Sequence, residues 1–234
     1  MPEQFPNQEP TPSALAGMID HTNLRPEATR EQIVRLCREA REHGFFAVVV
    51  NPDHVKLAVE ELDQRGVRVA TVIGFPLGAT LTSVKRFEAN ETLRLGAREI
   101  DMVLNLGALK SGNREHALDD IRAVAEVTHD HGALLKVILE TGLLTDDEKK
   151  LACELSVTAG ADYVKTSTGF LGGGAIVTDV TLMRQVVGPK LGVKASGGIR
   201  TAATALAMIA AGASRIGTSS GIEIVQEWTA RTQR

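Results

Sequence analysis

From residue 18 to residue 229 the chain repeats one pattern eight times: a short apolar run rich in β-branched residues, then a longer amphipathic stretch rich in Ala, Leu, Glu and Arg. The apolar runs are 18–21, 45–51, 67–74, 99–105, 134–140, 163–168, 191–196 and 215–219. The amphipathic stretches are 26–42, 52–64, 82–95, 114–129, 145–159, 178–187, 201–211 and 222–229. Runs this short and this apolar read as buried strands, and the stretches between them as helices. A parallel neighbour can be reached only through a long crossover, so the alternation implies βα units around a parallel sheet. Glycines 44, 66, 96, 132, 160 and 212 follow successive helices as C-terminal caps. Eight such units in 234 residues predict an α/β protein with one (β/α)8 TIM barrel. An open doubly wound sheet is the weaker alternative, because no Gly-x-Gly-x-x-Gly turn follows any strand.

Four of the eight prolines lie in the first twelve residues, a composition too poor in apolar surface to offset its ordering entropy. Residues 1–13 are therefore expected to be a flexible tail and 14–234 the barrel. A formal net charge of -3 with scattered basic residues argues against a nucleic-acid or anionic-membrane surface, either of which needs a clustered basic face. No apolar run approaches the ~20 residues needed to span a bilayer, and a cytoplasmic protein is expected. Cys37 and Cys153 sit among apolar neighbours in helical stretches and read as core residues. His129 and His131 form the one close histidine pair, at a polar helix end without a third ligand nearby. No metal site and no cofactor are expected.

A barrel strand is buried on both faces and should be almost wholly apolar. Four of these strands are not: Asp101 lies in Glu-Ile-Asp-Met-Val-Leu-Asn, Lys136 in Leu-Leu-Lys-Val-Ile-Leu-Glu, Lys165 in Tyr-Val-Lys-Thr-Ser-Thr-Gly and Lys194 in Gly-Val-Lys-Ala-Ser-Gly-Gly. An isolated buried charge costs several kcal/mol even after relaxation, so the set implies pairing or chemistry. For any single lysine, pairing with a carboxylate such as Asp101 or Glu140 is the better reading. For the set, chemistry is, because the lysines outnumber the obvious carboxylates. Lys165 and Lys194 lie on consecutive strands. At ~4 Å and an effective dielectric near 20 two ammoniums repel by about 4 kcal/mol, which lowers one amine's pKa by roughly three. A partly neutral lysine attacks a carbonyl carbon, and the iminium formed withdraws electrons so that the neighbouring carbon–carbon bond breaks or forms without a metal.

Strand seven runs into Ser196-Gly197-Gly198-Ile199-Arg200-Thr201 and strand eight into Gly217-Thr218-Ser219-Ser220-Gly221. Glycine-bearing loops that feed helix N-termini after the last two barrel strands suit a phosphate. Tight turns alone would explain one such loop; two adjacent ones favour an anion site. A phosphorylated ligand is implied.

These residues, taken with Met-Ile-Asp-His-Thr (18–22) and Thr-Val-Ile-Gly-Phe-Pro-Leu-Gly (71–78), resemble the 2-deoxyribose-5-phosphate aldolases, a family of class I aldolases, over about residues 15–221. The resemblance implies reversible cleavage of 2-deoxy-D-ribose 5-phosphate to D-glyceraldehyde 3-phosphate and acetaldehyde, in deoxyribonucleotide breakdown. It implies Lys165 as the Schiff-base lysine, Lys194 as the neighbour that perturbs it, and Asp101 as an acid/base acting with Lys194 through water. Asp20 and Lys136 would be polar members of the pocket, and Gly169, Gly197, Gly198, Gly217 and Ser219 would bind substrate. The chain departs from the family pattern in two places: Leu171-Gly172-Gly173-Gly174-Ala175, where relatives carry Gly-Thr-Gly-Gly-Ala, and Val49, where many carry cysteine. A homodimer or higher homo-oligomer is left open. A phosphosugar isomerase needs no activated lysine, and a catalytically silent sugar-binding protein would not keep Lys165, Lys194 and Asp101 together. Both are weaker readings.

Overall fold

Eight parallel strands close into a barrel in sequence order, as a computed structural model describing residues 9–63 and 66–233 establishes. The strands are β1 Ile19–Asn23, β2 Ala47–Val50, β3 Arg68–Ile73, β4 Glu99–Val103, β5 Leu134–Ile138, β6 Tyr163–Lys165, β7 Gly192–Ser196 and β8 Arg215–Thr218. Each falls within or overlaps a run expected from the sequence. The helices are α1 Pro12–Ala16, α2 Arg30–His43, α3 Val55–Leu62, α4 Thr82–Arg94, α5 Leu106–Lys110, α6 Arg114–Asp130, α7 Asp146–Ala159, α8 Val177–Val187, α9 Ala202–Ala210 and α10 Gly221–Thr232.

Local chemistry sets the boundaries. Thr29 and Thr145 each form a capping box, with Gln32 and Glu148, so α2 starts four residues later than its apolar pattern suggests and α7 one residue later. Gly44 and Gly160 end those two helices in the left-handed conformation. The second amphipathic stretch, 52–64, divides into a 3-10 turn at Pro52–His54 and α3; its last residue, Gln64, lies outside the described residues. The stretch expected to be tail is ordered at its end: Thr11 caps α1, and Trp228 Nε1 on α10 donates to Pro10 O at 2.7 Å. A single indole N–H that must be satisfied when buried ties this segment down. Residues 1–8 lie outside the described residues.

The main apolar core lies between barrel and helices, with Cys37 and Cys153 buried in it. The barrel interior is divided. On the side of β2 and β3 it is apolar, with Leu24, Val49, Ala70 and Val72 packed together. On the side of β4 to β8 and β1 it is filled by buried charge: Asp20, Glu99, Asp101, Lys136, Lys165, Lys194 and Arg215. Register makes this possible, since Asp101 stands beside Lys136, Lys165 beside Lys194 and Lys194 beside Arg215. At the N-terminal end of the barrel Gly192 leaves room for the Tyr163 ring; a Cβ there would fall 2.0 Å from Cε1.

Candidate active site

Asp101 is the hub of the interior. Its Oδ1 accepts from Lys136 Nζ at 2.7 Å, and its Oδ2 accepts from both Lys165 Nζ and Lys194 Nζ, each at 2.8 Å. Two ammonium nitrogens bound to one oxygen lie within twice that distance of each other. Lys194 also pairs with Asp20 at 2.5 Å and Lys136 with Glu99 at 2.6 Å. Arg215 joins Asp20 and Glu99 at 2.8 and 3.2 Å. The contact between Asp101 and Lys194 is direct, so the water expected between them is not needed for coupling. Glu140 does not pair with the lysines as one reading of the sequence had it; its Oε2 accepts from Thr168 N at 3.0 Å. Glu140 holds this position in a left-handed backbone, φ 54°, a conformation that costs a non-glycine residue roughly 1–3 kcal/mol.

Electrostatics separate the members of this cluster. Burial pushes the Lys165 amine down to about 8; Asp101 opposes the fall, and Lys194 and then Lys136 add to it. Repulsion from Lys194, the cause expected from the sequence, is therefore present but second to desolvation. Burial alone would raise Asp101, yet the ammoniums of Lys136, Lys165 and Lys194 hold its carboxyl well below the ordinary range. Asp20 is lowered in the same way, by Lys194 and Arg215 against its burial. Burial works against the charged form of Lys136 too, but Asp101 and Glu99 outweigh it and raise its pKa. Lys165 is thus poised to lose its proton just above neutrality.

A cavity of about 510 Å³ opens over Lys165 and Lys194 at the C-terminal end of the strands, where barrels of this type carry their sites. All five residues expected to bind substrate through the loops, Gly169, Gly197, Gly198, Gly217 and Ser219, line it. Asp101, Asp20 and Lys136 do not: they are fully buried beneath the two cavity lysines. Asp20 and Lys136 were expected as pocket members, but their side chains are consumed by ion pairs below the floor. The departing loop packs on this site through Gly174, where a Cβ would fall 2.6 Å from Gly197 O. Ala175 N donates to that same oxygen at 3.0 Å.

The two helix N-termini differ. At α9, Ala202 N donates to Glu227 Oε2 and Thr204 N to Thr201 Oγ1, so a carboxylate already sits where an anion was expected. At α10 no side chain caps the helix, leaving its first amides with the dipole to favour a negative group. The sequence reading missed the α2 wall, where Gln32, Arg35 and Glu39 line the cavity and Glu39 Oε2 bonds His21 Nε2 at 2.9 Å. It also missed Phe170, which meets Phe75 edge-on at 5.2 Å, and Glu99 and Arg215. Glu99 could have been found, since it stands two residues before Asp101 and strand side chains two apart share a face.

Residues 14–227 match the model of the DeoC/LacD family aldolase. The chain is 61% identical over 214 residues to the deoxyribose-phosphate aldolase of Thermococcus gammatolerans, covering 91% of this chain and 95% of that protein. It is 57% identical over 216 residues to deoxyribose-phosphate aldolase 1 of Bacillus licheniformis, covering 92% and 96%. Among solved structures, the tetrameric deoxyribose phosphate aldolase of Aeropyrum pernix superposes with a TM-score of 0.89 at 37% identity, covering 94% of this chain and 93% of that one.

Proposed function

The chain belongs to the DeoC/LacD aldolase family, and we propose that it cleaves 2-deoxy-D-ribose 5-phosphate reversibly to D-glyceraldehyde 3-phosphate and acetaldehyde, with Lys165 as the covalent nucleophile. The observation that carries the reading is a cavity-facing lysine whose amine is lowered to about 8 beside a lysine and a carboxylate. Its free amine adds to the aldehyde carbon of the open-chain sugar, and loss of water leaves an iminium. Removal of the proton from the C3 hydroxyl lets the C2–C3 bond break. Its electrons pass into the iminium and leave an enamine, while the three-carbon aldehyde phosphate departs. Protonation of the enamine carbon and hydrolysis then release acetaldehyde and restore the amine. Lys194, which lines the cavity, and Asp101, bonded to both lysines from beneath, are the groups that can carry these protons. The phosphate is assigned to the loops bearing Gly197, Gly198 and Ser219 and to the uncapped start of α10. Asp20 and Lys136 act from beneath, by holding Lys194 and Asp101.

Reduction with borohydride in the presence of acetaldehyde, followed by peptide mapping, tests the assignment: the label is expected on Lys165, and a label elsewhere would overturn it. Self-association is also proposed. It is supported by the tetrameric structure of the Aeropyrum pernix relative and by the exposed Leu81, just before α4, and Val84 and Phe87 on it. Light scattering that returned a monomer mass would exclude it. No helix among the described residues is long and apolar enough to cross a membrane, which is consistent with a cytoplasmic reaction.

A further inference from the structure

Six of the charged side chains inside the barrel form a closed ring of alternating sign. Lys194 pairs with Asp20, Asp20 with Arg215, Arg215 with Glu99, Glu99 with Lys136, Lys136 with Asp101, and Asp101 with Lys194 again. Every member of the ring has two partners of opposite charge within it. Lys165 stands outside, joined to the ring by the one contact with Asp101. The ring balances three carboxylates, Asp20, Glu99 and Asp101, against three cations, Lys136, Lys194 and Arg215. A proton on Lys165 therefore adds a charge that no carboxylate of the ring is left to match.

We propose that Arg215 is a positioning residue for the aldol reaction: it closes this ring from the end of the barrel opposite the cavity and, by neutralising Asp20 and Glu99, leaves no carboxylate of the ring free to hold a proton on Lys165. Arg215 does not line the cavity and acts only through the ring. It is fixed in place, with its guanidinium 3.4 Å from the Phe46 ring centroid and its Nη2 3.5 Å from Tyr163 Oη. Around Lys165 the charged groups are Asp20 on β1, Glu99 and Asp101 on β4, Lys136 on β5, Lys194 on β7 and Arg215 on β8, with Tyr163 on its own strand β6. The residues of β2 are uncharged. From β3, Arg68 reaches Glu99 at 3.2 Å with its side chain 47% exposed, so water screens its charge. Glu140, just past β5, is turned to the Thr168 amide and makes no ion pair among the described residues. Burial sets how strongly an unmatched ammonium is disfavoured; the ring decides which ammonium is unmatched.

The inference rests on Lys165 forming the imine, so the test reads that step directly: reductive trapping of acetaldehyde on the full chain, with the Lys165 peptide quantified across the neutral and alkaline pH range. Arg215→Met leaves the ring one cation short. Its trapping midpoint is expected to move up by about one pH unit, with about tenfold less label at neutral pH that alkaline pH restores. Arg215→Lys keeps the charge and is expected to return the midpoint to the wild-type position, whatever its melting temperature. Glu99→Gln removes a carboxylate, with the opposite expectation, a midpoint moved down; the double variant Glu99→Gln with Arg215→Met rebalances the ring and should lie between. An unmoved midpoint in Arg215→Met, or in Glu99→Gln if the first variant does not fold, would overturn the proposal. Absence of label from Lys165 in the wild-type chain would instead overturn the assignment of the nucleophile.

Discussion

Lys165 and Lys194 stand side by side in register on adjacent strands, and their ammonium nitrogens meet at a single oxygen, Asp101 Oδ2, each 2.8 Å away. Only one of them faces the substrate cavity without a carboxylate of its own. Lys194 keeps Asp20 as a second partner, whereas Lys165 shares its one partner with two other lysines. This unequal sharing, with the Lys165 amine lowered to about 8, supports Lys165 as the proposed nucleophile and Lys194 as its neighbour at the cavity floor.

Replacing Lys165 with methionine is expected to abolish imine trapping and yet to raise the melting temperature at neutral pH, because it removes the buried ammonium that the charge balance of the ring leaves over. The pH dependence fixes the cause. Folding lowers this amine from the ordinary 10.5 to about 8, so between those values the unfolded chain binds more protons and wild-type stability rises with pH. Below about 8 both forms are protonated, and the folded state carries the full penalty of the buried ammonium. The melting advantage of Lys165→Met should therefore be largest at neutral pH and shrink as pH climbs from 8 towards 10.5. A difference in melting temperature that does not vary with pH would mean that Lys165 is held for its packing.

Gly198→Asp should separate phosphate recognition from carbon–carbon chemistry. Gly198 has φ 77°, and a Cβ there meets nothing within 4 Å, so a side chain would stand free in the cavity beside the expected dianion. The carboxylate would repel phosphate, while the strained backbone affects every substrate alike. Use of the phosphorylated sugar is expected to fall at least ~10-fold more than use of free 2-deoxyribose, about 1.4 kcal/mol. Equal losses in kcat/KM for both substrates would remove the phosphate from this loop.

Gly192→Ala tests the closed end of the barrel. The new Cβ would lie 2.0 Å from Tyr163 Cε1, so the ring, with a fixed backbone on one side and the stacked Arg215 on the other, has to move. Overpacking of this kind costs about 1–3 kcal/mol. Chemical denaturation should show a loss of that size, and wild-type stability would mean that Tyr163 has room the structure does not give it.

The alternation of apolar runs and amphipathic stretches was sufficient to predict a barrel, because each βα unit carries its own period and its own caps. The charged side chains of β4, β5, β6 and β7 also announced themselves as residues that do not belong in a strand buried on both faces. Arg215 and Glu99 were less legible because each begins its strand, where a charge reads as a loop residue facing water. Only closure of the barrel, which brings β8 against β1, turns Arg215 inward to Asp20. In the same way, Glu227 occupies the start of α9 from a helix later in the chain, a long-range contact that no local pattern encodes. The bond from Trp228 to Pro10 O likewise joins residues 218 positions apart, out of reach of any local pattern.

Asp101→Asn discriminates between a carboxylate that moves protons and one that only holds the barrel together. The amide keeps the size and one acceptor oxygen, but it removes the charge that Lys136, Lys165 and Lys194 share. Losing one partner of a buried pair costs about 3–5 kcal/mol, so a large fall in melting temperature is expected at neutral pH. The sign is fixed by the low pKa of Asp101 in the folded chain: its contribution is present above the ordinary aspartate value and is lost as pH falls through the lowered one. The gap in stability between wild type and variant should accordingly close in acid. For Lys165, loss of the neighbouring carboxylate favours the free amine still further, so trapping should persist in the folded variant with its midpoint moved down. Turnover should nevertheless fall by at least ~100-fold, because cleavage needs a proton taken from the C3 hydroxyl and one delivered to the enamine carbon, and an amide does neither. Measured at a temperature where the variant is folded, retained trapping with lost turnover assigns the proton transfer to Asp101. Normal turnover in the folded variant would make Asp101 structural and leave the proton to Lys194.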